Sequence, residues 1–393
     1  MKKIFQVLFY LLTFCLLFAN PVSVHASEKE ESGEEKQDVL TKLEEEMSLD
    51  EIDSFLNQQD SFNWGGTLTF EDLVTDLLTT GTLTRTDFIW SELKEALTAP
   101  WKTQKKVLLL SVGIACFSAL FIDLSSAVNG KEPLRYGNYL SFLLLSAILF
   151  QSFHNLVQVA SSFMEDLNNY MNALMPAYFV GITFSTGAAA STTFYETTLV
   201  LLRLVQFVTS KILFPAIELY FALSIVNYFS KDHFFQQTKE ALEKGINWIL
   251  KTLLTSIIGL QVLQGLFVPV FSYVKKSVVM KLAGAIPGVG DMVSGVAQTV
   301  LSAGVLIKNA VGVVGLIFLI LLCVYPMCQV LCGVITYQLG AMIIEPLGEE
   351  NMCQVMSETS KTAGMVLRTM GISALCFLCA LVIMTASTCQ GLD

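Results

Sequence analysis

Residues 310–340 read AVGVVGLIFLILLCVYPMCQVLCGVITYQLG, a run without a single Asp, Glu, Lys or Arg. A helix needs ~20 predominantly apolar residues to cross the hydrocarbon of a bilayer, so this run crosses with residues to spare. Lipid offers no partner to an open N–H or C=O, which makes helix the form in which such a run crosses. Pro326, near the middle, removes one backbone donor and predicts a bend. Outward in both directions the same signature recurs at 107–127, 139–161, 174–194, 197–229, 248–272, 284–307 and 363–388. The chain is therefore expected to be all-α, a polytopic helical membrane protein with about eight spans. Segment 197–229 is also overlong and carries Pro215. Segments 174–194 and 284–307 are rich in Gly, Ala, Ser and Thr, and each reads as either a full crossing or a re-entrant hairpin.

Ahead of the membrane segments lies an export signal. Met1-Lys2-Lys3, the apolar run from Ile4 to Ala19 and the small-x-small pattern Val24-His25-Ala26 predict a signal peptide over 1–26, with an uncleaved anchor as the alternative. Either way, Ser27 onward starts outside. Residues 27–47 read as an acidic linker, and 48–106 as a small extracytoplasmic helical domain. Ser48-Leu49-Asp50-Glu51 has capping-box spacing, after which Leu49, Ile52, Phe55 and Leu56 share a face. A second helix starts at Thr69-Phe70-Glu71-Asp72, carries Leu73, Val74, Leu77 and Leu78, and stops at Gly81. A third, about 86–98, carries Phe88, Ile89, Leu93 and Leu97. Such a domain is either a spacer packed on the membrane part or a docking surface for another exported protein.

The formal charge of -10 belongs to this exported part. Residues 27–100 hold nineteen Asp/Glu against five Lys/Arg, whereas 101–393 hold fifteen against seventeen. That balance repels nucleic acid and excludes it as a partner. All nine cysteines lie elsewhere, at Cys15 and from Cys116 onward, so no disulfide supports the exported domain.

The membrane domain, 107–393, contains a candidate inverted repeat, 139–249 and 250–360. A shift of 111 residues brings Met175-Pro176 onto Ile286-Pro287 and Phe214-Pro215 onto Tyr325-Pro326. Amphipathic polar stretches follow both kinked segments, at 231–247 and 346–362. The connection 162–172 carries Glu165 and Asp166, whereas 273–283 carries Lys275, Lys276 and Lys281, which predicts opposite sides of the membrane. Lys131 and Arg135 fall inside on the same scheme.

Chemistry is sparse. Lys211 and Glu218 lie two turns apart beside Pro215 and are the best candidates for a polar path; the alternative has Lys211 reaching to the interface and Glu218 pairing with another helix. Pro215, Pro326, Pro176 and Pro287 are candidate gate positions, and Asp291 lies within the Gly-rich segment 284–295, which either binds a solute or packs closely. Cys328/Cys332 and Cys376/Cys379 share faces but sit in apolar helices, where cysteine is usually a small packer. With three histidines in the chain and no nucleophile–base pair, no metal, cofactor or enzyme activity is expected.

Several stretches together resemble the stage III sporulation protein AE family. They are Leu73 to Trp101 with its Leu77-Leu78-Thr79-Thr80-Gly81 stop, the Pro176-led segment, Ile286-Pro287-Gly288-Val289-Gly290-Asp291, Ile307-Lys308-Asn309-Ala310-Val311-Gly312 and Glu345-Pro346-Leu347. The resemblance covers roughly 48–390 and is most specific at Lys308 to Gly312. It implies a multi-pass protein of the mother-cell membrane surrounding the forespore, part of a channel between the two cells that sustains forespore development and late gene expression. The implied partners are a cytoplasmic secretion-type ATPase, ring proteins of the intermembrane space and a forespore-side protein. A permease moving a small solute through inverted halves is the second expectation.

Overall fold

The structure, a computed structural model, describes residues 50–57, 69–80, 98, 100, 101, 104–120, 131–186, 188–229, 235–283, 290–347 and 350–387, with several stretches, among them 131–136, 188–194 and 261–305, as backbone alone. Its elements are α1 (Asp50–Asn57), α2 (Phe70–Thr80), α3 (104–120), α4 (Lys131–Thr186), α5 (Ala188–Val208), a π-helical turn (Thr209–Leu213), α6 (Phe214–Phe229), α7 (Gln236–Ala283), α8 (Gly290–Ile344), a short 3-10 turn (Glu345–Leu347) and α9 (Glu350–Ser387). No strand occurs among the described residues. The signal, the linker, Pro287 and nearly all of the third exported helix lie outside them.

Local chemistry accounts for the short helices. Thr69 Oγ1 accepts from Asp72 N (3.1 Å) while Asp72 Oδ2 accepts from Thr69 N (3.3 Å), the reciprocal pair that satisfies two otherwise open donors at a helix start. Asp53 Oδ1 accepts from Phe70 N and ties α1 to the same end. The apolar stripes then find a surface within the chain. Ile52, Leu56, Phe70, Leu73 and Val74 are buried in the common core, with Phe55 against Tyr170 of α4 and Phe70 against Phe318 of α8. These contacts pack both short helices on the helical bundle.

The long helices differ from the expected segmentation. Segment 139–161, the connection 162–172 and the start of 174–194 form one helix, α4, which continues through Pro176. The reason is visible in the supposed connection. Phe163, Met164, Leu167, Tyr170, Met171 and Leu174 recur at helical spacing and are buried, whereas Ser162, Glu165 and Asn169 occupy the opposite, exposed face. The stretch is thus an amphipathic helix rather than a loop. Segments 284–307 and 310–340 likewise meet in α8, helical from Gly290 through Pro326. Among the described residues four stretches are long and apolar enough to cross a membrane: Tyr139–Val180, Tyr195–Tyr228, Lys308–Leu347 and Glu350–Val382. At about 1.5 Å per residue α4 is about 84 Å long, so it extends well past the ~30 Å of hydrocarbon.

Helix α9 forms the centre of the bundle. Burial reaches 72% of its most apolar window against 39% for the α5–α6 stretch, and α8, α7, α4 and α6 pack around it. The outer surface of the α5–α6 stretch is accordingly mostly apolar, with Val200, Leu204, Phe207, Ile212, Leu219 and Val226 exposed beside Arg203 and Lys211, as suits contact with lipid.

Two glycines set close approaches of α8. A Cβ at Gly312 would lie 2.9 Å from Thr385 Oγ1 and 3.3 Å from the Tyr178 ring; one at Gly333 would lie 2.6 Å from Leu156. Gly245 of α7 has open space beside it. Gly312→Val is therefore expected to destabilise the protein by about 1–3 kcal/mol through overpacking, whereas Gly245→Ala is expected to stabilise by up to about 1 kcal/mol through helix propensity alone. Thermal unfolding of both variants in detergent checks the contrast, and equal shifts would refute it.

Candidate functional site

Among the described residues, polar side chains inside the bundle gather at four places. The first surrounds Pro215. Pro215 is the second residue of α6 and has no N–H to offer the preceding turn; the chain just before it widens into the π-helical turn Thr209–Leu213. The turn presents buried Thr209 to α9, where its hydroxyl lies 3.0 Å from Ser373 Oγ. Lys211, on the same turn, is exposed, as is Pro215. Glu218 pairs with a different helix: its Oε1 lies 2.9 Å from His154 Nδ1 of α4. Gln158 Nε2 is 3.2 Å from His154 Nε2. If the amide donates there, Nδ1 carries the ring proton and donates to Glu218. The structure therefore does not bring Lys211 and Glu218 together as one pair.

The second place is beside Pro326. Pro326 stays inside continuous α8, half-buried, so the two matched prolines differ in that only Pro215 follows a π-helical turn. A groove of about 350 Å³ runs between α8 and α4 beside Pro326. Asn155, Gln158, Ser162 and Asp166 line it from α4, and Tyr325 and Gln329 from α8. Pro176 is half-buried within α4. Asp291 is in the first turn of α8, but its side chain, like Pro287 as a whole, falls outside the described residues.

The third place is an ionic knot between α6, α7 and α9. Lys239 Nζ meets Glu358 Oε1 at 2.6 Å, with side chains only 7% and 11% exposed. Lys361 Nζ lies 2.8 Å from Glu243 Oε2 and 3.8 Å from Glu358 Oε1. Tyr220 stands between them, its hydroxyl donating to Glu358 (3.1 Å), and its ring flanked by Lys239 at 5.3 Å and Lys361 at 5.7 Å. Two cations and two carboxylates balance, which is the condition for holding charge in a bundle with little water. None of these five residues was singled out from the sequence. The available signal was the pair of amphipathic stretches 231–247 and 346–362, which contain Lys239, Glu243, Glu358 and Lys361; nothing local says that the two stretches meet.

The family-like segment Lys308 to Gly312 forms a further junction. Lys308 is fully buried and its Nζ donates to the Thr385 carbonyl of α9 at 3.4 Å. Tyr178 of α4 donates to Thr385 Oγ1 at 3.2 Å, so this segment joins three helices through one threonine. Among the described residues no group of three His, Cys, Asp or Glu is placed to hold a metal ion.

Comparison with known proteins gives a family. Residues 68–388 match the family model described as stage III sporulation protein AE. The chain is 26% identical over 283 residues to the stage III sporulation protein AE of Bacillus subtilis (strain 168), covering 72% of this chain and 71% of that protein. No solved structure matches. The matched region runs from the start of α2 to the end of α9 and takes in the knot, Pro215, Pro326 and the Lys308 junction, and the chain belongs to the stage III sporulation protein AE family.

Proposed function

We propose that this chain is a membrane component of a channel between mother cell and forespore, needed for forespore development and late gene expression during endospore formation. Family membership over residues 68–388 carries the reading. Four helices of spanning length and composition support a place in a membrane. On this reading it sits in the mother-cell membrane surrounding the forespore with its N-terminal domain extracytoplasmic. It works beside a cytoplasmic secretion-type ATPase and ring proteins of the intermembrane space. The kinks at Pro215 and Pro326 then shape a gate. One observation favours the alternative, a permease: charges held within the bundle at Lys239 and Glu358, where ion-coupled carriers keep theirs.

The test is deletion of the gene in its own endospore-forming host, followed by complementation. Deletion is expected to stop late forespore gene expression, read with a forespore reporter, and the parental gene to restore it. Pro215→Ala and Pro326→Ala are expected to restore protein abundance and membrane insertion but less of the reporter signal. A deletion strain with parental forespore expression overturns the channel reading; full rescue by both variants and by their combination removes the gate.

A further inference from the structure

One face of α4 is polar where its neighbours are apolar. Gln151, Asn155, Gln158, Ser162, Glu165 and Asn169 follow one another at alternating spacings of four and three, and all six are exposed. That spacing keeps side chains on a single stripe of a helix.

The depth of this stripe follows from contacts to either side. The His154–Glu218 pair and the ring contacts of Phe150 and Phe153 with Phe221 set α6 level with residues 150–154. Ser152 against Tyr337 and Leu156 against Gly333 set α8 at the same level. At that level the exposed side chains of the neighbours are Leu219 on α6 and Ile335 and Leu339 on α8. About two to three turns before the stripe, the exposed face of α4 itself is apolar, with Leu140, Leu143 and Leu144. Those residues suit lipid. Three amides and hydroxyls in succession do not, because hydrocarbon offers them no hydrogen bonds.

The stripe also has a concave side. Asn155, Gln158 and Ser162 form one wall of the groove whose other wall is Tyr325, Pro326 and Gln329. We propose that this α4–α8 groove is one wall of a water-filled path at bilayer depth, suited to small hydrophilic solutes. Five of the six stripe positions are uncharged donors and acceptors, and Asp166 adds a carboxylate to the groove, so the wall exchanges hydrogen bonds with water and hydrophilic solutes and holds little charge of its own. In a single chain the groove is open on its outer side. The inference therefore rests on the channel reading for the further protein that closes it.

Thiol accessibility in native membranes tests it. In a full-length background without native cysteines, single substitutions Asn155→Cys, Gln158→Cys and Ser162→Cys are compared with Leu219→Cys and Ile335→Cys, exposed apolar positions level with the start of the stripe, using a membrane-impermeant cationic methanethiosulfonate. A thiol reacts as its thiolate, which forms in water and not in hydrocarbon, so the three stripe positions are expected to react at least about tenfold faster than the two controls. Equal rates overturn the proposal. Spore counts of the same strains separate it from the channel reading. Slow labelling in strains that depend on the protein for sporulation removes the aqueous wall and keeps the channel role. Fast labelling where sporulation does not need the protein keeps the wall and removes the role.

Discussion

Glu358→Ala is expected to destabilise the folded protein by about 3–5 kcal/mol, because it leaves a buried cation without its counter-charge. Lys239 is 7% exposed and its nearest carboxylate, at 2.6 Å, is Glu358. Glu243 does not replace it, since its Oε2 is already engaged by Lys361 at 2.8 Å. The Tyr220 hydroxyl loses its shorter acceptor at the same time. Denaturant titration of the purified protein in mixed micelles measures the loss. Lys239→Met in the Glu358→Ala background should recover most of it, since an apolar side chain of similar length does not need the missing partner. If Glu358→Ala alone unfolds at the parental denaturant concentration, the knot is not a stabilising element.

Phe70→Ala is expected to weaken the docking of α1 and α2 on the membrane bundle, at a cost of about 3–5 kcal/mol for a fully buried aromatic. Phe70 is completely buried, its ring centroid 5.5 Å from that of Phe318 on α8, and its backbone N–H is held by Asp53 of α1. It is therefore the point at which both short helices meet the bundle. Helices of eight and eleven residues are too short to persist in water without such packing. Limited proteolysis of membranes should cleave the first hundred residues much faster in the variant than in the parent, with helices α4 to α9 still protected. Phe70→Leu, which keeps most of the apolar volume, should lie between the two. Unchanged cleavage of Phe70→Ala would show that α1 and α2 are held by other contacts.

The sequence by itself determined the class of this protein and its family. Uncharged runs such as 310–340 exceed the length of a crossing, and in lipid only helix satisfies the backbone, so no tertiary information was needed to read an all-α membrane protein. The start of α2 was equally legible, since Thr69 and Asp72 cap each other across three residues; the expected stop at Gly81 lies outside the described residues. Lys308 to Gly312 was legible as a family mark but not as a junction. Its contacts are to Thr385, more than seventy residues away.

Tertiary structure decided how the apolar segments join and which charges meet. Residues 162–172 carry Glu165, Asp166, Asn168 and Asn169, which read locally as a connection. Burial of Phe163, Leu167 and Tyr170 against other helices makes them the middle of α4 instead. Glu218 sits two turns from Lys211 in the sequence yet pairs with His154, because the adjacent helices α4 and α6 bring those two within 2.9 Å. The knot is the clearest case: Lys361 and Glu243 are 118 residues apart, and no periodicity or spacing in either stretch refers to the other. Ion pairs of that separation exist only after the helices have packed, since the attraction is short-ranged and screened until water is excluded.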